Sequence, residues 1–294
     1  MDVRSLRYFK AVADAGSFTR AAQQLHLAQP ALSMAIRKLE DELELILLHR
    51  RERRVTLTDE GRHLYAHAER ILQASEDALL EMAELKGLQQ GQVRVGVSSM
   101  LGSYYFPPIF MAFRHRYPQL SLSVIDAGTD RLRQLLIQGE LDLAVIVDEH
   151  CPPALQAERF LSEQMLVTCA QDHPFSRQQS IASEDFFAQD LLLFKEGFFH
   201  RKVVERMAKD GGFQPKISVE TNLITLIKTM VRQGFGVSTL LPMVIADNDG
   251  LITRPFAEPV WLHLSLAWRK EGYLSHANRT FADFLFNHCS VPGC

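Results

Sequence analysis

Cysteine is scarce in this chain of 294 residues, and the four cysteines are scattered. Cys151, Cys169, Cys289 and Cys294 include no CxxC pair, so the sequence indicates neither a zinc ribbon nor a dithiol redox motif. This usage is typical of free thiols in a reducing compartment. A disulfide or redox switch between Cys289 and Cys294, which lie close together in sequence, is the less favoured alternative.

Long apolar runs and catalytic motifs are also missing from the sequence. No run reaches the length needed to cross a membrane, and the first residues lack the apolar core of a secretory signal, so we expect a cytoplasmic protein with no membrane partner. We find no GxSxG, HExxH, P-loop or GxGxxG motif, and no His or Cys cluster with metal-ligand spacing. The sequence therefore predicts no enzyme, no metal and no bound cofactor. The less favoured alternatives are a small-molecule transferase or hydrolase, and a pure solute-binding protein.

The formal net charge is only -3, which does not fit a globally basic nucleic-acid binder. Positive charge is instead local, because residues 1–58 contain ten Lys and Arg against seven Asp and Glu. A chain of 33.4 kDa exceeds one typical domain. We therefore expect at least two domains, with the basic one first.

Residues 16–40 have the pattern of a helix-turn-helix. Ser17 and Thr19 are good N-cap residues for a short first helix, and Pro30 suits the first turn of a second helix. Apolar residues recur at helical spacing on that second helix and are predicted to point inward: Ala31, Leu32, Ala35, Ile36 and Leu39. The positions left facing outward include an amide, a hydroxyl and two cations, the groups that contact bases and phosphates: Gln29, Ser33, Met34, Arg37 and Lys38.

A basic hairpin at residues 50–58 follows at once. A short basic hairpin after a helix-turn-helix is typical of a wing that lies along phosphates or inserts an Arg into the minor groove. The alternative is that residues 16–40 are two ordinary amphipathic helices whose Arg and Lys merely face solvent. The N-terminal position and the hairpin favour DNA binding.

Residues 1–66 resemble the winged helix-turn-helix of LysR-type transcriptional regulators. The matching segments are Leu6-Arg7-Tyr8-Phe9, Ala11-Val12-Ala13, Gly16-Ser17-Phe18-Thr19, Ala21-Ala22, Leu25-His26, Gln29-Pro30-Ala31-Leu32-Ser33, Ile36, Leu39-Glu40, Leu43 and Leu57-Thr58-Asp59-Glu60-Gly61. Glu44 stands where the family commonly has Gly and Leu48 where it has Phe, which predicts that the helix before the wing continues further than usual. Met34 stands where many members have a polar or basic residue.

The resemblance implies a sequence-specific regulator that binds a pseudo-palindromic DNA site and is not an enzyme. Gln29, Pro30 and Ser33 are expected near base edges, with the other positions at phosphates or in the wing. The predicted DNA-binding residues are Thr19, Arg20, Gln29, Pro30, Ser33, Met34, Arg37, Lys38, Arg51, Arg53 and Arg54. Other partners implied are a second copy of the chain, a homotetramer built from such dimers, and RNA polymerase.

One long helix is predicted over residues 59–88, after a winged domain at residues 1–58. Thr58 can cap it, and acidic residues in its first turn suit the helix dipole. At a rise of about 1.5 Å per residue it is roughly 43 Å long. Its apolar stripe has heptad-like spacing and comprises Leu64, Ala68, Ile71, Leu72, Ser75, Ala78, Leu79, Met82 and Leu85. The same helix of a second subunit is the expected partner, and packing back on the chain's own domains is the alternative.

Residues 92–294 alternate strands and helices, which predicts an α/β fold with mostly parallel sheets. The predicted strands cover residues 93–97, 120–125, 141–147, 165–169, 190–194, 217–219, 237–241 and 262–268. Helices are expected at residues 102–116, 129–138, 200–210, 222–233 and 275–288. Segments 140–145 and 231–237 resemble the family's effector domain, which implies two subdomains like those of a periplasmic solute-binding protein. Subdomain I is expected at about 92–162 and 267–294 and subdomain II at about 163–266, with crossings near 160–164 and 263–268.

Ligands in such sheets bind at the carboxyl ends of strands, beside helix N-termini. The predicted effector-binding residues are Ser98, Ser99, Met100, Gly128, Thr129, Val147, Phe198, Phe199 and Asn222. The resemblance implies effector contacts at Met100, Thr129 and Val147, but the Arg that aromatic-acid responders have at the Val147 position is absent. We expect a small organic acid or aromatic effector, with a more apolar site than in those responders. The alternatives are that Ser and Thr here only cap helices, and that Phe198 and Phe199 are core or lid residues.

Overall fold

The computed structural model describes residues 1–51, 54–85, 91–147 and 151–289. The chain folds as two compact units, Met1–Lys86 and Gly87–Cys294. Within the described ranges, every helix is too short or too polar to span a lipid bilayer. Cys169 is a buried free thiol, and Cys294 lies outside the described residues.

Three helices and a hairpin precede one long helix in the first unit. The helices are α1 (Val3–Ala15), α2 (Phe18–Gln24), α3 (Gln29–Leu43) and α4 (Asp59–Leu85), and the hairpin consists of β1 (Leu48–Arg51) and β2 (Arg54–Leu57). The core is built from residues at helical spacing, including Leu6, Phe9, Val12, Leu32, Ile36 and Leu39. Ala31, which was predicted to point inward, is exposed because it lies in the first turn of α3, beyond the edge of this core.

α3 ends at Leu43, so the prediction that this helix continues past Glu44 is wrong. Glu44 adopts a left-handed conformation with φ 54° and ψ 31°. In this conformation the N–H of Glu44 donates to the Asp41 carbonyl (3.3 Å) and the N–H of Leu45 donates to the Glu40 carbonyl (3.1 Å). These bonds satisfy the last carbonyls of the helix, so the chain turns here even without glycine.

Thr58 caps α4, as predicted. The N–H of Gly61 donates to Thr58 Oγ1 (2.9 Å), and the Thr58 hydroxyl donates to the Ile46 carbonyl (2.7 Å). Gly61 is required by space, because a Cβ there would lie 2.0 Å from the Leu47 carbonyl oxygen. The cap therefore fixes the start of α4 against the turn that precedes the wing.

The apolar stripe of α4 divides into two parts. Ala68 and Leu72 are buried in the core of the first unit, and Leu64 packs against it. Farther along, Leu79 is 67% exposed and Met82 is 50% exposed. The second part of the stripe is thus not covered by the unit to which it belongs.

The second unit has alternating strands and helices. The strands are β3 (Gly91–Val97), β4 (Leu120–Asp126), β5 (Leu143–Val147), β6 (Leu155–Ala170), β7 (Asp190–Leu193), β8 (Lys216–Glu220), β9 (Ser238–Leu240) and β10 (Leu251–Arg269). The helices are α5 (Ser99–Tyr104), α6 (Phe106–Arg116), α7 (Thr129–Ile137), α8 (Ser183–Phe187), α9 (Phe199–Gly211), α10 (Ile224–Arg232) and α11 (His276–Cys289). Three 3-10 helices are Pro174–Arg177, Pro242–Val244 and Asp247–Asp249.

The main sheet is mixed rather than mostly parallel. Its strand order is β4-β3-β5-β10-β6-β9. β3 is parallel to β4 and β5, whereas β10 is antiparallel to β5 and β6, and β6 is antiparallel to β9. A separate parallel pair is formed by β7 and β8. The expected parallel pairing thus fails for the two long strands, β6 and β10, which run side by side in opposite directions.

β6 and β10 connect the two halves of the unit. Residues 166–168 of β6 pair with β9, and residues 264–267 of β10 pair with β5. A bulge opposite Leu264 and Ser265 leaves Phe160 unpaired, inside the predicted first crossing at 160–164. Residues 264–267, which pair with β5, lie inside the predicted second crossing at 263–268. The subdomain boundaries stay predictions.

The single helix predicted at residues 102–116 is two helices. α5 ends where the Tyr105 N–H donates to the Leu101 carbonyl (3.0 Å). Pro107 and Pro108 have no N–H with which to continue that ladder, but Pro is well tolerated in the first turn of a new helix. α6 accordingly begins at Phe106.

Candidate DNA-binding and effector sites

The outer face of α3 presents the residues predicted to contact DNA. Gln29, Pro30, Arg37 and Lys38 are exposed, Met34 is 68% exposed, and Ser33 is half-buried. These assignments follow from the buried face of the helix, which is fixed by Leu32, Ile36 and Leu39. The helix therefore presents an amide, a hydroxyl and two cations on one side.

The N-terminus of α3 has no side-chain cap. Its N-cap residue is Ala28, whose side chain cannot accept a hydrogen bond, and proline occupies the first turn. The first N–H groups of an α-helix have no partner within the helix, and they favour anions. An uncapped, exposed helix start is suited to a phosphate oxygen.

The N-terminus of α2 places two further predicted residues at the surface. Ser17 is its N-cap and accepts from the Arg20 N–H (3.4 Å), so the capping role belongs to Ser17 and not to Thr19. Thr19 and Arg20 are exposed. The Arg20 guanidinium donates to the Ala15 carbonyl, which holds this cation beside the end of α1.

Glu40 joins α3 to the wing, a role that the sequence did not indicate. Its carboxylate accepts from the backbone N–H groups of Leu47 (3.0 Å) and Leu48 (3.2 Å) and from the Arg50 guanidinium (2.6 Å). Arg50 also lies 5.3 Å from the centre of the Phe18 ring. The hairpin is thereby fixed to α3 and to the start of α2.

The wing itself is described in part. Arg54 is exposed on β2. Arg51 lies in β1, but its side chain is outside the described residues, and so is the whole of Arg53. The predicted contacts of Arg51, Arg53 and Arg54 with DNA stay predictions.

A cavity in the second unit lies where β3, β5 and β7 end. Its volume is about 40 Å³. The lining residues are Ser98, Ser99, Met100, Leu101, Thr129, Val145, Ile146, Val147, Phe194, Phe198, Phe199, His200, Leu241, Leu262 and Leu264. The structure thus brings seven of the nine predicted effector residues to one place, and whether they contact an effector stays a prediction.

The two remaining predicted residues lie beside the cavity. A Cβ at Gly128 would lie 2.6 Å from the Gly197 carbonyl oxygen, so only glycine allows these two loops to approach each other so closely. Asn222 lines an adjacent open groove, and its Oδ1 accepts from the Lys195 N–H (3.0 Å). Both residues hold the loops around the cavity in place.

A carboxylate lies beside the cavity, in the adjacent groove that Ser99 and Phe198 also line. The Ser99 hydroxyl lies 2.7 and 2.9 Å from the two oxygens of Asp126 and donates to this carboxylate. The polar group of Ser99 is therefore already engaged with an acidic side chain. This partner was not part of the sequence-based prediction.

His200 is the second residue that the sequence did not single out. It is 7% exposed, and its Nε2 has no hydrogen-bond partner among the described residues. Burial lowers the pKa of His200 from 6.5 to about 3, so the ring is neutral at physiological pH. The rings of Phe194 and Phe199 flank it, with ring centres 4.9 and 5.4 Å away.

One ion pair links the helices on the two sides of the cavity. Lys202 Nζ of α9 lies 2.5 Å from Asp130 Oδ1 of α7. Asp130 is also 3.8 Å from Arg133 on its own helix. The pair is about half exposed, so water screens it considerably.

Comparison with known families accounts for both units. The family model described as "Bacterial regulatory helix-turn-helix protein, lysR family" matches residues 3–62. The model described as "LysR substrate binding domain" matches residues 86–290. Together they cover the winged domain and the domain that contains the cavity.

Curated and structural relatives agree with these matches. The uncharacterized HTH-type transcriptional regulator YcgK of Bacillus subtilis is 31% identical over 302 residues, covering 96% of this chain and 93% of that protein. A probable RuBisCO transcriptional regulator of Porphyra purpurea is 30% identical, covering 98% and 94%. A full-length OxyR variant of Pseudomonas aeruginosa superimposes with a TM-score of 0.75 at 29% identity, covering 97% and 94%.

These matches are to transcriptional regulators, which confirms the interpretation of the chain as a regulator rather than an enzyme. They also confirm the architecture inferred from the residues at 1–66 and from the alternating strands and helices that follow. The N-terminal domain binds DNA, and the C-terminal domain is of the type that takes small-molecule effectors. The chain belongs to the LysR family of transcriptional regulators.

Proposed function

We propose that this regulator contacts a pseudo-palindromic operator through the outer face of α3. Gln29, Pro30 and Ser33 would lie near base edges in the major groove, where amide and hydroxyl groups discriminate between bases. The observation that supports this most directly is the uncapped start of α3, where Ala28, Gln29 and Pro30 are exposed. A phosphate at that helix start would fix the register of the helix on the duplex.

Cations around α3 would hold the helix on the DNA backbone. Arg37 and Lys38 are exposed on α3, and Arg20 is exposed on α2, beside the end of α1. Thr19 and the wing residues Arg51, Arg53 and Arg54 complete the set of proposed phosphate contacts. Such contacts supply affinity but little sequence information, and they weaken with salt.

A two-fold operator requires a two-fold protein. Regulators of this family form oligomers, and we propose that α4 is the dimer contact of this one. The exposed part of its stripe, with Leu79 and Met82, is the surface that a second copy would cover. Effector-domain contacts would then build a tetramer from two dimers, and RNA polymerase would be a further partner in the cytoplasm.

We further propose that the cavity between the subdomains is the effector site. Movement of one subdomain on the other would change the spacing of the DNA-binding domains in a tetramer, and with it the bend in the DNA. An effector can shift this equilibrium only by its differential affinity for the two states, typically about 1–3 kcal/mol.

The recognition helix can be tested by selecting DNA sites with the full-length protein and measuring binding of Gln29→Ala. We expect a loss of about 1–3 kcal/mol at selected sites and little change at random DNA. Gln24→Ala is the matched control, because Gln24 is also an exposed Gln of the helix-turn-helix but lies at the end of α2. Equal losses at both kinds of DNA would refute the assignment of Gln29 to base contact.

A further inference from the structure

The cavity in the effector domain is lined mainly by apolar side chains, together with the hydroxyls of Ser98, Ser99 and Thr129 and the imidazole of His200. Met100, Val147, Phe198 and Leu264 are representative of its walls. Among its described lining residues there is no Lys, Arg, Asp or Glu. A charged ligand would therefore lose its hydration here without gaining an oppositely charged side chain as a partner, which is costly in a site of this kind.

Among the described lining residues, His200 is the one with a buried polar atom that lacks a hydrogen-bond partner. Buried polar atoms in folded proteins nearly always have a hydrogen-bond partner, so the unpaired Nε2 of His200 stands out. Leaving such an atom unpaired costs free energy, which a ligand would recover by pairing with it. Because the imidazole is neutral, Nε2 offers either a donor or an acceptor, depending on the tautomer. A hydroxyl group can pair with either form.

The carboxylate of Asp126 places a negative charge beside the cavity. Its carboxylate accepts from the Ser99 hydroxyl, and both residues line the groove next to the cavity. A ligand carboxylate near Ser99 would have to displace Asp126 and would lie beside another negative charge. The hydroxyl that Ser99 would offer to an anionic effector is thus already engaged with an anion.

We infer, on the basis of the proposed effector site, that the effector is an uncharged, mainly apolar molecule with one hydrogen-bonding group, which pairs with Nε2 of His200. His200 is then the residue that selects the effector by its polar group, and the apolar walls select its body. This narrows the expectation of an organic acid or an aromatic to uncharged compounds.

The size of the cavity implies that the ligand opens it. A volume of about 40 Å³ is far below the roughly 300–1,000 Å³ of typical small-molecule sites. The contact of Gly128 with Gly197 and the Lys202–Asp130 pair hold the two sides together in this closed form. Ligand entry must therefore separate the subdomains or move Phe198, which lines both the cavity and the adjacent groove.

Three probes that share one benzene ring and differ in its substituent test the inference: toluene, benzyl alcohol and benzoate. Their binding to the full-length protein is measured by calorimetry at pH 7. We expect benzyl alcohol to bind about tenfold more tightly than toluene, which corresponds to one neutral hydrogen bond, and benzoate to bind most weakly. Tighter binding of benzoate than of benzyl alcohol, or binding of none of the three, would overturn the inference.

Substitutions then assign the effect to single residues. His200→Phe keeps an aromatic ring between Phe194 and Phe199, and it should remove the preference for benzyl alcohol over toluene. His263→Phe is the matched control, because His263 lies between lining residues Leu262 and Leu264 on β10 but pairs with Ser162 outside the cavity (2.9 Å). Asp126→Asn should reduce the discrimination against benzoate. An unchanged preference in His200→Phe would show that Nε2 is not the partner.

A readout in the wild-type protein covers the case in which His200→Phe fails to fold. With ¹⁵N-labelled histidine, benzyl alcohol should shift the His200 Nε2 signal saturably, while the His263 signal stays unchanged. Absence of that shift at saturating benzyl alcohol would overturn the inference. DNA binding by the same samples distinguishes a failure of this inference from a failure of the proposed function. A protein that binds operator DNA but prefers benzoate contradicts the proposed effector class, and its DNA-binding function stands.

Discussion

The Arg50 guanidinium donates to the Glu40 carboxylate across 2.6 Å, and this contact joins the proposed recognition helix to the wing. The two residues differ in their surroundings, because Glu40 is 12% exposed and also accepts from two backbone N–H groups, whereas Arg50 is 41% exposed. The carboxylate is thus the centre of a small network that positions the hairpin, and the guanidinium is its outermost member.

This asymmetry predicts unequal effects of the two truncations. Glu40→Ala leaves the N–H groups of Leu47 and Leu48 without their acceptor and should lower the free energy of unfolding of the N-terminal unit by about 2–3 kcal/mol. Arg50→Ala removes a half-exposed guanidinium and its contact with the Phe18 ring but leaves Glu40 paired with both N–H groups, so it should cost less, about 1 kcal/mol. Calorimetry of the full-length protein measures both. Equal losses would mean that the ion pair, and not the backbone contacts, fixes the wing.

Glu44 gives a second stability prediction. A non-glycine residue in the left-handed region is strained by about 1–2 kcal/mol, part of which glycine loses again through its freedom in the unfolded chain. Glu44→Gly should therefore raise the melting temperature of the N-terminal unit, by a net gain of about 0.5–1 kcal/mol. Glu42→Gly is the control, since Glu42 lies in regular α3 and its replacement should destabilise. A lower melting temperature for Glu44→Gly would show that this conformation is not strained.

The two parts of the α4 stripe should respond differently to charge. Leu79→Asp places a carboxylate on the exposed part, so the chain should fold normally but lose its dimer if α4 is the contact. Leu72→Asp is a poor test of assembly, because Leu72 is buried in the core of its own unit and the variant should unfold that unit. Light scattering at low protein concentration, combined with circular dichroism, distinguishes the two. A folded Leu79→Asp protein with an unchanged mass would exclude α4 as the dimer contact.

Local patterns in the sequence were enough to predict some of these features and not others. Helical spacing gave the buried face of α3, and the Thr58 cap of α4 followed from residue type and position. The lengths of β6 and β10 could not be predicted in this way, because only the buried part of each strand has the apolar pattern of a strand. The roles of Glu40 and His200 depend on neighbours distant in sequence, such as Leu47 for Glu40 and Phe194 for His200, so no local pattern could show them.

Glu44 shows a different limit of prediction from sequence. A departure from the family's glycine suggested a longer helix, on the assumption that the side chain would exclude the left-handed conformation. The structure instead keeps the turn, because the Glu44 and Leu45 N–H groups satisfy the last carbonyls of α3. These two capping hydrogen bonds therefore outweigh a backbone preference of about 1–2 kcal/mol.

The ion pair between Lys202 and Asp130 gives the last prediction, which concerns the motion of the cavity. An exposed pair contributes about 0.2–1 kcal/mol, so Lys202→Ala should increase the opening of the cavity by roughly 1.4- to 5-fold. Hydrogen exchange of the backbone around Met100 and Phe199 measures this opening in the full-length protein. Lys209→Ala, an exposed Lys near the other end of α9, should change nothing there.

The reversed pair, Asp130→Lys with Lys202→Asp, separates the attraction across the cavity from a general change in surface charge. It keeps the net charge and restores the opposite signs, although Arg133 then faces a like charge at position 130 and reduces the recovery. We expect exchange to return most of the way to that of the wild-type protein. Exchange that is equally fast in Lys202→Ala and in the reversed pair would mean that the two helices are held together by packing at Gly128 and Gly197, and not by this contact.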